Sequence, residues 1–323
     1  MSDAILHAYK INGDGSGTPL TGDAISKTIK ADALAWVHLD GNHPDTKIWL
    51  EREVSYLDHL IINALLEKET RPRIIEFEQG ALMILRGVNL NENAEPEDMI
   101  SIRLWVDAHR IISVRLRPLK AVHDICQDFD EGRGPKNAGD FIGALSGRLF
   151  ERMEPVFTEL DEQLDNVEEE VMEEPDKKLR SEITDIRKQA ILFRRYIAPQ
   201  KDVIAYLRTS DLPWLEQNHK RKLQENLDRV TRYIEDLDTI RERASIVKDE
   251  LANALADQLN KNMYMLSIVA AIFLPLGFLT GLLGINVGGI PGADYEWSFA
   301  IFCAILSVVV AIQIALFKWL KWF

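Results

Sequence analysis

At 323 residues, with 46% hydrophobic and 28% charged side chains, the chain has the composition of a folded protein of about two domains, which excludes a disordered or collagen-like polymer. A net charge of −13 argues against the basic surface that a nucleic-acid partner requires. Two distant cysteines, Cys126 and Cys303, exclude a disulfide framework.

Residues 1–117 read as a mixed α/β, cytoplasmic region. Short runs rich in β-formers lie at 35–40 (AWVHLD), 73–77 (RIIEF), 81–88 (ALMILRGV), 99–107 (MISIRLWVD) and 110–116 (RIISVRL). The last two flank Asp107, Ala108, His109 and Arg110, a sequence suited to a tight hairpin. Helical runs are expected near 44–53 and 58–68. After Pro118 the strand signal stops. Helices are expected over about 118–130, 139–172 and 176–208, so 118–212 reads as a helical, acidic region. Within it, residues 151–176 carry twelve carboxylates and a single Arg. Such a run is ordinarily a solvated helix face, and the sharper alternative is a surface that attracts cations.

Pro213 is expected in the first turn of a long final helix. Leu223, Leu227, Val230, Ile234, Leu237, Ile240, Ala244, Val247, Leu251, Leu255 and Leu259 recur with a mean spacing of about 3.6, the period of an α-helix. No Gly or Pro interrupts 214–274, so this helix is expected to continue into the apolar segment that follows, as one element over 213–284. Residues 262–293 contain no Asp, Glu, Lys or Arg, and 297–317 again contain none. Each run exceeds the roughly 20 residues that cross a bilayer core. Membrane helices are therefore expected at 266–284 and 297–317. Residues 285–296 form an outer loop, and 318–323 form a basic tail.

The flanks set the orientation. Lys261 precedes the first span and Lys318 and Lys321 follow the second, whereas the intervening loop has only Asp294 and Glu296. Positive residues stay on the cytoplasmic side, so both termini are expected there, in a bacterial-type inner membrane. The opening residues lack a signal-peptide apolar core. Trp297, Trp319 and Trp322 suit an interfacial belt.

Two spans cannot enclose a polar path alone, so any such path needs several subunits. On the first span Asn260, Met263, Ser267, Ala270, Leu274, Gly277, Gly281 and Gly284 recur at steps of three and four and share one mostly small face. Pore wall and close helix packing both explain that face. Pro275 removes one backbone hydrogen bond from the same helix.

Directly after this span stand Gly284, Ile285 and Asn286, followed by VGGIPGADY. This resembles the CorA family of divalent-cation transporters, whose signature there is Gly-Met-Asn. Ile285, the flanking FLPLGFLTGLLGINVGGIPG (273–292), ETRPR (69–73) and RRYIAPQKDV (194–203) resemble the zinc-transporting ZntB branch. The resemblance spans the chain. It implies an α+β cytoplasmic domain, long helices and two C-terminal transmembrane helices, assembled as a funnel-shaped homopentamer. It places Gly284, Ile285 and Asn286 at the outer selectivity ring, holding a hydrated cation. It puts Asn260, Met263, Leu266, Ser267, Ala270, Leu274, Gly277 and Gly281 along the pore, with Met263 and Leu266 at a hydrophobic constriction. The cargo it implies is Zn2+ taken up with or without protons; magnesium or cobalt conduction and zinc efflux are the alternatives. No resident cofactor and no enzymatic activity are expected.

The residue chemistry agrees. Asn offers a neutral carbonyl oxygen that can hold a water shell, and no Asp, Glu, His or Cys lies on the proposed face, so no chelating relay is expected. Asp294 and Glu296 would attract cations to the entrance. His38 with His43, and His123 with Cys126, lack the four-ligand spacing of a structural zinc site. The rival reading is a membrane-anchored scaffold with no conducted ion.

Overall fold

The computed structural model describes residues 2–284, 290, 292 and 294–319. They divide into two compact units, Met1–Asp249 and Glu250–Phe323.

In the first unit, β1 (Ile5–Ile11), β2 (Gly17–Pro19), β3 (Ala35–Asp40), β4 (Arg73–Phe77), β5 (Gly80–Gly87), β6 (Ile100–Asp107) and β7 (Arg110–Arg115) form a single sheet. Their order is β2-β1-β3-β7-β6-β5-β4. Every neighbouring pair is antiparallel except β3 and β7, which run parallel from Ala35 opposite Arg110 to Asp40 opposite Arg115. The β6–β7 hairpin forms where expected, with the Asp107 carboxylate accepting the His109 backbone N–H at 2.8 Å. The sequence reading did not include β1 and β2. β1 mixes His7, Tyr9 and Lys10 among its apolar residues, and β2 is three residues long with Gly and Pro in it, a turn signature by composition.

Helices cover both faces of the sheet. On one side Ile25 and Ile29 of α1 (Asp23–Lys30), Trp49 and Leu50 of α2 (Asp45–Glu53), and Ile61, Ile62 and Leu65 of α3 (His59–Leu66) pack with Val37, Leu39, Trp105, Ile112 and Val114. On the other, Trp36 meets Phe129 of α4 (Lys120–Asp130) and Phe141 of α5 (Ala138–Glu151), with ring centroids 6.0 and 5.0 Å apart. Every residue of β5 and β6 is buried, which is why these strands read as nearly continuous apolar runs.

The single helix expected over 139–172 is two. α5 stops at Glu151, and α6 (Glu154–Glu173) restarts with Pro155 in its first turn, where a missing N–H costs nothing. α7 (Leu179–Thr209) follows. α8 (Gln217–Leu283) starts later than expected, so Pro213 lies in the preceding segment. That segment turns through a Leu215 N–H to Leu212 carbonyl bond, and the His219 imidazole accepts the Glu216 N–H at 2.9 Å just before the helix begins.

α8 then runs 67 residues without a break, about 100 Å at 1.5 Å per residue. Its buried seam in the first unit includes Leu223, Val230, Leu237, Ala244 and Val247, as the period predicted. Asn226 and Tyr233 hold two seam positions in place of Leu227 and Ile234, which are half-buried. The polar pair belongs there because it serves α5: Asn226 donates to the Gly143 carbonyl at 3.1 Å, and the Tyr233 hydroxyl to that of Phe150 at 3.3 Å. In the second unit α8 is followed by α9 (Ser298–Trp319). The apolar stretches of α8 and α9 have mean hydropathies of 2.3 and 2.7, and the rest of the chain buries neither.

Candidate cation path

The face proposed from the sequence is open along its whole length. Asn260, Met263, Ser267, Ala270, Leu274, Gly277, Gly281 and Gly284 are all exposed, and Leu266 beside them is 70% exposed. A Cβ added at Gly277 or Gly281 would meet nothing within 4 Å, so packing inside this chain does not require their smallness. Of the half-buried residues of this stretch, Ile268, Ile272, Leu276 and Leu279 lie on the opposite side of the helix at about 100° per residue, and Ala271 lies on its flank. On α9 the covered positions include Phe302, Leu306, Val309, Gln313 and Phe317, three or four residues apart, with Ser298 and Val310 beside them. Gln313 reaches α8 through its Nε2, which donates to the Ala271 carbonyl at 3.1 Å. The second unit thus separates a side engaged within the chain from a side left free.

The free side is neutral. Its polar groups are the Asn260 amide, the Ser267 hydroxyl (bonded to the Met263 carbonyl at 2.8 Å) and backbone. Such a surface can contact the water shell of a cation but cannot chelate the ion tightly. At its end α8 stops at Leu283, and the Gly284 N–H still bonds the Thr280 carbonyl at 2.9 Å. A Cβ on Gly284 would lie 2.7 Å from that carbonyl oxygen, so the helix end needs glycine. Ile285 and Asn286 lie outside the described residues. Asp294 and Glu296 are exposed just ahead of α9, beside a turn in which Gly292 takes φ +81° and accepts the Tyr295 N–H at 3.2 Å.

The first unit carries most of the charge. Among the described residues no group of three or more His, Cys, Asp or Glu side chains is placed to hold a metal ion. His38 is fully buried, with Nδ1 2.8 Å from the Ser113 hydroxyl, and burial pushes its pKa well below 6.5. Burial also pushes the Cys126 thiol up to about 12, so it stays protonated. The acidic run forms α6, which turns Phe157, Leu160, Leu164, Val167 and Val171 inward. Three of its carboxylates are gathered by Arg243 of α8, at 3.0 Å for Asp161, 2.5 Å for Asp165 and 2.7 Å for Glu168. Hydrogen bonds that it donates to Asp165 and Glu168 hold this guanidinium above its usual pKa. Glu159, Glu162, Glu169, Glu170 and Glu173 are exposed, a solvated face.

The two motifs of the first unit are structural fasteners. The Gln200 side chain, buried on α7, accepts the Arg86 N–H at 2.6 Å and donates to the Arg86 carbonyl at 3.0 Å. It replaces the neighbouring strand, because β4 pairs β5 only as far as Arg73 opposite Ile84. The loop holding ETRPR is tied by Arg86 to the Thr70 carbonyl and by Arg103 to that of Glu67, each at 2.6 Å.

A family model described as CorA-like Mg2+ transporter protein matches residues 31–319. The chain belongs to this family. It is 38% identical to the divalent cation transporter CmaX of Pseudomonas aeruginosa, over 98% of this chain and 96% of that protein. It is 34% identical to the zinc transport protein ZntB of Yersinia enterocolitica, over 99% and 95%. The solved structure of full-length CmaX superposes with a TM-score of 0.85 at 36% identity, covering 100% of this chain and 99% of that one. The complete CorA magnesium transporter of Methanocaldococcus jannaschii shares the fold at 16% identity, with a TM-score of 0.79 over 97% and 98%. The CorA-like chain described here is therefore a membrane transporter of divalent cations, not an enzyme, and such transporters carry no resident cofactor. That membership removes the scaffold reading. The features the sequence reading missed, Gln313 and Arg243, each had a signal: a lone amide in an uncharged run, and an arginine near the apolar seam.

Proposed function

We propose that this CorA-like protein admits zinc across the bacterial inner membrane, through a hydrated path enclosed by five copies of α8, with both termini in the cytoplasm. The observation that carries the proposal is the continuous open face of α8, neutral and free of chelating side chains, opposite the side that α9 engages. A ring of Asn286 amides at its outer end would hold the water shell of the ion. Met263 and Leu266 would form the apolar constriction. Asp294 and Glu296 would gather cations at the entrance, ten carboxylates per pentamer. A membrane potential supplies about 4.6 kcal/mol per 100 mV for a divalent ion, twice the single-charge value, and drives it inward. Zinc is favoured because relatives 33–34% identical over nearly the full chain bear the name zinc transport protein. By the same reading, 1–117, 118–212 and 213–284 are the α/β, helical and pore-lining segments.

Magnesium or cobalt conduction is the second reading, favoured by the description of the matching family model. Purified protein in liposomes, loaded with ion-sensitive dyes and given zinc, magnesium or cobalt under an imposed pH gradient, distinguishes these cases. Zinc entry that the proton gradient accelerates supports coupled uptake. Zinc entry indifferent to it supports a channel. Magnesium entry without zinc entry refutes the zinc assignment, and net zinc movement only outward refutes uptake.

A further inference from the structure

Pro275 sits inside α8 and has no N–H. In an α-helix the N–H of residue 275 would bond the carbonyl of residue 271, so the Ala271 carbonyl has no α-helical donor. Gln313 of α9 donates its Nε2 to that same oxygen at 3.1 Å. Among the 22 residues of α9 it is the one side-chain amide, and it lies on the covered stripe with Phe302, Leu306, Val309 and Phe317. Its Oε1 is buried and has no hydrogen-bond partner among the described residues. Among the described residues the amide therefore makes one hydrogen bond, and the reversed amide would set oxygen against oxygen. In a bilayer core a backbone group freed by proline needs another partner, and a neighbouring helix is one source of it.

We infer that Gln313 is a positioning residue for transport: it supplies from α9 the donor that Pro275 removes from α8, and so ties the pore-lining helix to the second span at the level of the proline. Ala271 lies on the flank of α8 between the open face and the covered one, and the tie therefore fixes how the face from Leu274 to Gly284 is presented. This effect on transport rests on the reading of α8 as pore wall. The pairing with Pro275 does not.

The test is a double-mutant cycle on the full-length protein. Gln313→Leu, Pro275→Ala and the double variant are compared with the parent for zinc entry into phosphatidylethanolamine–phosphatidylglycerol vesicles and for thermal midpoint in detergent. In the Pro275 parent, Gln313→Leu is expected to slow maximal entry about threefold or more, with little change in half-saturation, and to lower the midpoint. In the Pro275→Ala background, where the backbone N–H again reaches Ala271, the same change should alter neither by a measurable amount. Gln313→Glu, whose neutral acid can donate to a carbonyl, should retain most of the parental rate and lose it as pH rises and the acid ionises. This variant decides the matter if Pro275→Ala fails to fold. Equal losses in both backgrounds, no loss in the parent, or Glu no better than Leu at low pH overturn the inference. A parent that passes no divalent cation refutes the proposed function instead, while the midpoints still test the pairing.

Discussion

The same helix behaves differently in the two units it belongs to. Up to Val247, α8 presents apolar residues every three or four positions, and Leu223, Val230, Leu237, Ile240, Ala244 and Val247 are buried in the first unit; Leu237 and Ala244 are wholly covered. Further along, Leu259 is 59% exposed, Met263 65% and Leu274 71%, with nearly the same spacing. Periodicity alone identifies a helix with a face; it does not identify what the face meets. The first unit covers its apolar surface with its own chain. The second leaves its apolar surface exposed, and there α8 carries the neutral, open stripe on which the proposed path rests.

Changes on that stripe should therefore cut flux without unfolding the first unit. The largest expected effect is at Asn286. Replacing it by Ala should abolish zinc entry in liposomes while cross-linking still shows the assembled oligomer, and wild-type flux from an assembled variant would remove the selectivity-ring assignment. Met263→Ser with Leu266→Ser should raise ion leak several-fold, because large apolar side chains in a narrow path oppose passage of a hydrated ion. Leak is measured with the potential clamped, and an unchanged value would argue against a hydrophobic constriction. Asp294→Asn with Glu296→Gln should slow entry about twofold to threefold at low ionic strength. The difference should close near 1 M salt, where the Debye length is about 3 Å. A variant equal to wild type at low salt would leave these carboxylates only the role of favouring the start of α9.

Much of this contrast is legible from residues alone. The uncharged runs, the acids between them and the Asp107–Arg110 hairpin all follow from composition and local chemistry. β2 does not, because a three-residue Gly-Thr-Pro strand exists only through pairing with Tyr9, Lys10 and Ile11. Nor does the break at Arg152 and Met153, since both residues are acceptable in a helix and Pro155 dictates a restart only once the chain has turned. Of the proposed path, the open face was legible as a spacing; that it stands opposite the α9 contact needed both helices in place.

Two changes in the first unit sharpen the comparison from the other side, since they should lower stability and spare ion selectivity. Arg243→Met removes the cation shared by Asp161, Asp165 and Glu168 and leaves three carboxylates facing one another. The cost is about 1 kcal/mol for a half-exposed cluster, smaller at high salt, read as a shift in the urea midpoint of tryptophan fluorescence. His38 is held neutral by burial, so its folded pKa is depressed. The unfolded chain takes up a proton below about 6.5 and the folded one does not, so stability is present above that pH and falls as pH drops below it. His38→Gln should flatten the decline between pH 6.5 and 5, and an unaltered slope would assign it to other groups.

The parallel pairing of β3 with β7 has a consequence for biosynthesis. The sheet cannot close until Arg115 has been made, yet both of its parallel strands are complete well before the first apolar span. Domains generally fold as units, N-terminal part first, as the chain leaves the ribosome. The sheet and the helices through α7 can therefore fold before any membrane-spanning residue exists. During that interval the nascent domain must stay soluble on its own, a task for which the exposed carboxylates of α6 are suited.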